Sequence, residues 1–133
     1  MYTRILVPFD GSETAQRGLD EAIALAGVHH ARLRLVQVLD IHPPSREARV
    51  AALQAAGDRA IAAGIETEVA ALDPFDGALA DQIIGEARRW SAGLIVAGTH
   101  GRKGFNRLAL GADAERIARG SPVPVLLVPA RAD

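Results

Sequence analysis

Cysteine is absent from the sequence, which excludes a disulfide framework, thiolate catalysis and cysteine metal sites. A dominant charge is missing too. Fifteen Lys and Arg against sixteen Asp and Glu leave a net charge of −1, so nucleic acid and anionic membrane surfaces have no electrostatic call on the chain. No apolar run approaches the roughly 20 residues needed to span a bilayer. The opening Met1 to Val7 runs directly into a strand, without the apolar core and small-residue cleavage site of a secretory leader. Internal repeats, linkers and low-complexity stretches are lacking. So are a nucleophile elbow, a paired-carboxylate signature and a Ser-His-Asp arrangement. His29, His30 and His42 show no His-x-x-x-His spacing and read as surface residues. The expectation is a soluble, cytoplasmic chain of one domain, residues 1–133, with hydrophobic residues at 49% and charged residues at 23% as in ordinary globular proteins.

What is present is an alternation of strand and helix signals. Ile5 to Phe9 is a short apolar run typical of a strand buried on both faces, with Pro8 at its end because proline cannot donate to a ladder. Asp10-Gly11-Ser12 is a turn, and Ser12 caps a helix over about 13–27, its apolar face carried by Ala15, Leu19, Ala22, Ile23 and Ala26. Arg32 to Leu39 reads as a second strand, and Asp40 to Pro44 as a loop. Ser45 caps a helix reaching Ala63, stopped by Gly64. Glu66 to Leu72 reads as an edge strand guarded by Glu66 and Glu68. Asp76 caps a third helix that ends in Arg88-Arg89-Trp90, where cations complement the helix dipole. Gly93 to Ala97 forms the fourth strand, 112–119 the last helix, and Val123 to Val128 the fifth strand, bracketed by Pro122, Pro124 and Pro129. The pattern β-α-β-α-β-α-β-α-β predicts an open parallel sheet with helices on both faces, and a ligand at the carboxyl ends of its strands.

The most informative segment follows the fourth strand: Gly98-Thr99-His100-Gly101-Arg102-Lys103-Gly104, continuing to Gly111. A glycine-punctuated loop that delivers the chain to a helix start lets backbone N–H groups approach an anion. The alternative is a plain strand-to-helix connection, since neither the dinucleotide nor the Walker spacing is present. Two readings also stand for Asp10, ligand contact or turn-former, and for His100, phosphate donor or loop organiser. Arg102, Lys103 and Arg107 are either phosphate ligands or solvated charges.

Ile5 to Ala15, Leu94 to Arg102 and Ser121 to Val128 together resemble the universal stress protein family over nearly the whole chain, most weakly from Asp40 to Leu72. The resemblance implies a Rossmann-like five-stranded sheet of order 3-2-1-4-5 and a homodimer formed through the last strand. It also implies a site for ATP, ADP or AMP, with magnesium as an accompanying ion. Gly98, Gly101 and Gly111 match the three glycines of the family's nucleotide-binding branch. By the same resemblance Phe9, Asp10, Val38, Ala97, His100 and Arg102 belong to the site, with Asp10 at adenine and ribose and the Val38 backbone at the adenine edge. Ala112 and Asp113 depart from the pattern, which has Ser or Thr and then an apolar residue. The loss of a hydroxyl and the gain of a carboxylate predict weakened phosphate binding. The functional expectation is a non-catalytic nucleotide-binding stress-response module with an unidentified protein partner. The alternatives are a nucleotide-free dimer and an ATPase of very slow turnover, with Asp10 and His100 as its only acid–base pair.

Overall fold

A computed structural model describes residues 2–39, 44–74, 78–100 and 111–129. Five parallel strands, β1 (Arg4–Pro8), β2 (Arg32–Val38), β3 (Thr67–Leu72), β4 (Leu94–Gly98) and β5 (Val125–Val128), form one sheet of order β3-β2-β1-β4-β5. Between them run α1 (Glu13–His29), α2 (Arg46–Ala62), α3 (Leu79–Trp90) and α4 (Ala112–Gly120). The expected α/β topology is therefore the observed one. Strand order reverses between β1 and β4, which opens a crevice at their carboxyl ends.

Strand alternation divides the core in two. Ile5, Val7, Phe9, Leu33, Leu35 and Val96 pack with Leu19 and Ala22 of α1 and Leu53 of α2. On the other face Leu6, Val36, Ile95 and Ala97 pack with Ile83 and Ala87 of α3 and Ile117 of α4. Fully buried apolar strands such as Ile5-Leu6-Val7 are what helix cover on both faces demands. Pro8 ends β1 as expected, and pairing continues beyond it through the Phe9 amide, which donates to Val36 O at 2.8 Å.

Several boundaries move for local reasons. The first helix continues past Gly27 to His29, because His30 adopts the left-handed conformation (φ 57°) and its amide and that of Ala31 both return to Ala26 O. The fifth strand starts at Val125 rather than Val123. Ser121 folds the preceding residues into a turn, its Oγ donating to Val123 O at 2.7 Å and accepting from Val123 N at 3.1 Å, and neither Pro122 nor Pro124 has an N–H to pair. The N-cap of α3 is Ala78, with no side-chain cap, rather than Asp76, which lies outside the described residues. The caps at Ser12 and Ser45 are formed, accepting from Ala15 N at 3.2 Å and Ala48 N at 3.1 Å. β3 is an edge strand as read, but its guarding charges are paired: Glu66 with Arg32 at 2.6 Å and Glu68 with Arg34 at 3.0 Å.

Candidate functional site at the carboxyl rim

The crevice at the strand-order reversal is a real cleft, enclosing about 570 Å³ with its open mouth included. Apolar side chains dominate its walls: Phe9 and Val38 from the strand ends, Leu79 and Ile83 from α3, and Ile117 from α4. Such walls suit the flat faces of a planar organic ring.

The polar groups enter from chain segments that leave the strands. Asp10 lines the cleft after β1, and its Oδ1 accepts from Ser12 N at 2.9 Å. This is an Asx turn, with Gly11 at φ 81°, so Asp10 fulfils the turn role and faces the cleft as well. Beyond β4, the loop approaches α1 closely. Thr14 Oγ1 donates to His100 O, and Thr99 Oγ1 lies 3.0 Å from His100 Nδ1. The His100 carbonyl thus ties the loop to α1, while its ring meets only the neighbouring Thr99 side chain among the described residues. Its Nε2 is buried with no partner among the described residues.

Gly111 brings α4 to this rim. Its amide donates to Thr99 O at 2.7 Å, so that N–H is engaged by the protein itself and is removed from the expected anion seat. A Cβ at Gly111 would stand 2.8 Å from the same Thr99 oxygen, so only glycine fits this approach. Gly111 is also the N-cap of α4 and provides no side-chain cap. Glu115 N is the first amide to reach back, to Gly111 O at 2.9 Å, so the amides of residues 112–114 have no carbonyl partner within the helix. Asp113 and Ala114 line the cleft at this point.

The cleft thus gathers Phe9, Asp10, Val38, Ala97, Gly98, His100 and Asp113, with Gly111 and Ala112 at its α4 border. Gly101, Arg102, Lys103, Arg107 and His42 lie outside the described residues. Sequence reasoning missed Gln37. It lines the cleft at 3% exposure, and its Oε1 has no partner among the described residues. A buried amide without its hydrogen bond is costly, about 1–3 kcal/mol. The signal available was an amide in an otherwise apolar strand end, Leu35-Val36-Gln37-Val38. Leu79, Ile83 and Ile117 were also missed as cleft walls, because the helical spacing that marks them as inward-facing does not separate core from cleft. Among the described residues no group of three or more His, Asp or Glu is placed to hold a metal ion. No helix among them is long and apolar enough to cross a membrane.

A doubly wound parallel sheet with an open cleft at its switch point defines the class: an α/β fold of the kind that receives small molecules at its carboxyl rim. The sequence model of the universal stress protein family matches residues 1–129, and the chain belongs to that family. A universal stress protein of Methanocaldococcus jannaschii is 30% identical over 145 residues, covering 96% of this chain and 82% of that protein. Among solved structures, a universal stress protein family member from Burkholderia pseudomallei superposes with a TM-score of 0.79 at 33% identity, covering 97% of each chain. A universal stress protein in complex with cAMP superposes with a TM-score of 0.76 at 30% identity, covering 96% of this chain and 97% of its own.

Proposed function

We propose that the chain is a cytoplasmic, non-catalytic stress-response module that binds an adenine nucleotide (ATP, ADP or AMP) in the rim cleft and works as a homodimer. The observation that carries this reading is the cleft itself: apolar walls around Val38 and Ala97 for a base, with the first turn of α4 beside them for phosphate. The relative solved with cAMP, an adenine nucleotide, supports it. In this reading the Val38 backbone meets the adenine edge, Asp10 the ribose, and Gly98, Gly101, Arg102 and the head of α4 the phosphate. Magnesium accompanies the nucleotide only as its counter-ion. Slow hydrolysis is the ceiling, since Asp10 already accepts from Ser12 N and His100 Nδ1 is engaged with Thr99.

Titration calorimetry with AMP, ADP and ATP is expected to show saturable binding below about 1 mM. Phosphate release should stay at contaminant level through successive purification steps. No heat with any of the three would favour the second reading, a nucleotide-free dimer, which draws on Ala112 and Asp113 standing where a hydroxyl and an apolar residue are expected.

The dimer is assigned to β5. It is an edge strand, and Leu126 is 38% exposed on it between the half-buried Val125 and Leu127. Sedimentation is expected to show a dimer at micromolar concentration and a monomer for Leu126→Asp, because a charge in a shared apolar strand contact is strongly unfavourable. A wild-type monomer, or an unaltered dimer in the variant, would remove this assignment.

A further inference from the structure

We infer that Gln37 reads the base of the ligand: its carboxamide oxygen accepts a hydrogen bond from an amino group on the ring, so the cleft selects a base that carries one. This rests on the nucleotide reading above and adds to it the residue that recognises the base.

Gln37 stands one position before the end of β2, is 3% exposed, and lines the cleft beside Val38. Its Oε1 is buried without a hydrogen-bond partner among the described residues. The neighbouring strands bring apolar side chains to it. Ala71 is its register partner on β3, and Phe9 follows Pro8, the partner of Val36 on β1. Leu33 and Leu35 precede it on the same face of β2 and are wholly buried. An apolar side chain of the same length would sit there without leaving a polar atom unmet. A residue that works against the local pattern is expected where a site requires it.

Position decides which part of the ligand Gln37 meets. In the sheet β1 separates β2 from β4, so Gln37 lies across the cleft from Gly98 and the head of α4. A phosphate held at α4 leaves the β2 side to the base. The chemistry then narrows the group. A carboxamide oxygen only accepts, and once the ribose is attached the exocyclic amine is the one N–H donor that adenine retains. That amine carries two N–H groups, so Gln37 and the Val38 backbone do not compete for it. The terminal torsion of glutamine is soft, which lets the oxygen turn toward the ligand.

The test compares AMP with purine riboside monophosphate, which lacks the amine and keeps ring, ribose and phosphate, by calorimetry on the intact protein. The wild type is expected to bind AMP about tenfold or more tightly, because the analogue leaves a buried acceptor unpaired. Gln37→Met keeps the length of the side chain and removes both polar atoms. It should bring the two ligands to within about threefold of each other through loss of AMP affinity. Its urea midpoint should equal or exceed that of the wild type. Equal binding of the two ligands by the wild type, a comparison that needs no variant, would overturn the inference. So would an AMP preference that survives in Gln37→Met, and a lowered midpoint beside it would make Gln37 a packing residue only. In each of these cases the nucleotide reading stands, whereas failure of both ligands to bind would overturn both.

Discussion

Glu86→Gln is expected to lower the unfolding free energy by about 2–4 kcal/mol at neutral pH, in urea titrations monitored by circular dichroism. Glu86 lies on α3 with its side chain 6% exposed, yet it is charged and fully engaged. Arg34 of β2 reaches Oε2 through Nε and a terminal guanidinium nitrogen, both at 2.7 Å, while Arg89 reaches Oε1 at 2.8 Å. Arg34 also meets Glu68 of the edge strand at 3.0 Å. The cluster thus fastens α3, and with it the cleft wall at Leu79 and Ile83, to β2 and β3. Glutamine keeps the shape but leaves the arginine's charge without its main partner. Because Arg34 is 22% exposed, water relieves part of that penalty, which places the expected loss below that of a fully buried pair. Arg89→Ala is the contrast: Arg89 is 67% exposed, and its loss should cost less than about 1 kcal/mol.

The same cluster fixes the sign of a pH effect. Burial by itself raises the Glu86 carboxyl, but hydrogen bonds and charges from Arg89 and Arg34 outweigh it and hold the group below the ordinary glutamate value. A depressed folded value means that the stabilisation is complete above about pH 4.3, the unfolded value, and is lost as pH falls through the folded one. The wild-type advantage over Glu86→Gln should therefore shrink on acidification below about pH 4. An advantage that is constant down to acid unfolding would contradict it.

Gly98→Ala should cost about 2–3 kcal/mol of stability and weaken AMP binding at least about tenfold, read by urea titration and calorimetry. A Cβ on Gly98 would stand 2.8 Å from the backbone carbonyl carbon of Thr14, and α1 cannot withdraw cheaply because Leu19 and Ala22 anchor it in the core. Displacing Thr14 would also break its hydrogen bond to His100 O, which shapes the loop at the cleft. Gly18, on the α1 side of the same contact, is the control. Its Cβ would meet Gly98 N at 3.6 Å, ordinary packing distance, so Gly18→Ala should be nearly neutral. Equal tolerance of the two substitutions would show that the close approach is not what fixes glycine at position 98.

These residues show what the chain made legible and what it did not. Order and type of every element could be read from apolar runs, caps at Ser12 and Ser45, and the proline that ends β1, because those signals are local. Most of the residues the cleft brings together were also within reach, as strand-end positions on one rim. Gly98 and Gly111, however, read from spacing as phosphate-approach glycines, whereas the structure gives both a packing duty, against Thr14 and against Thr99 O. The ion cluster joins Arg34 and Glu86 across 52 positions, and that depends on how α3 lies over β2, which no spacing encodes. Gln37 was hidden for a similar reason: its unmet Oε1 appears only when the sheet is assembled around it.

The central claim is that the carboxyl rim holds an adenine nucleotide, base against Val38 and phosphate at the head of α4. A crystal structure of the protein grown with AMP tests it most directly. The expected map shows the base between Val38 and Ala97, with the phosphate accepting from amides of residues 112–114. A saturated crystal with this cleft empty, or with AMP bound elsewhere on the surface, would contradict it.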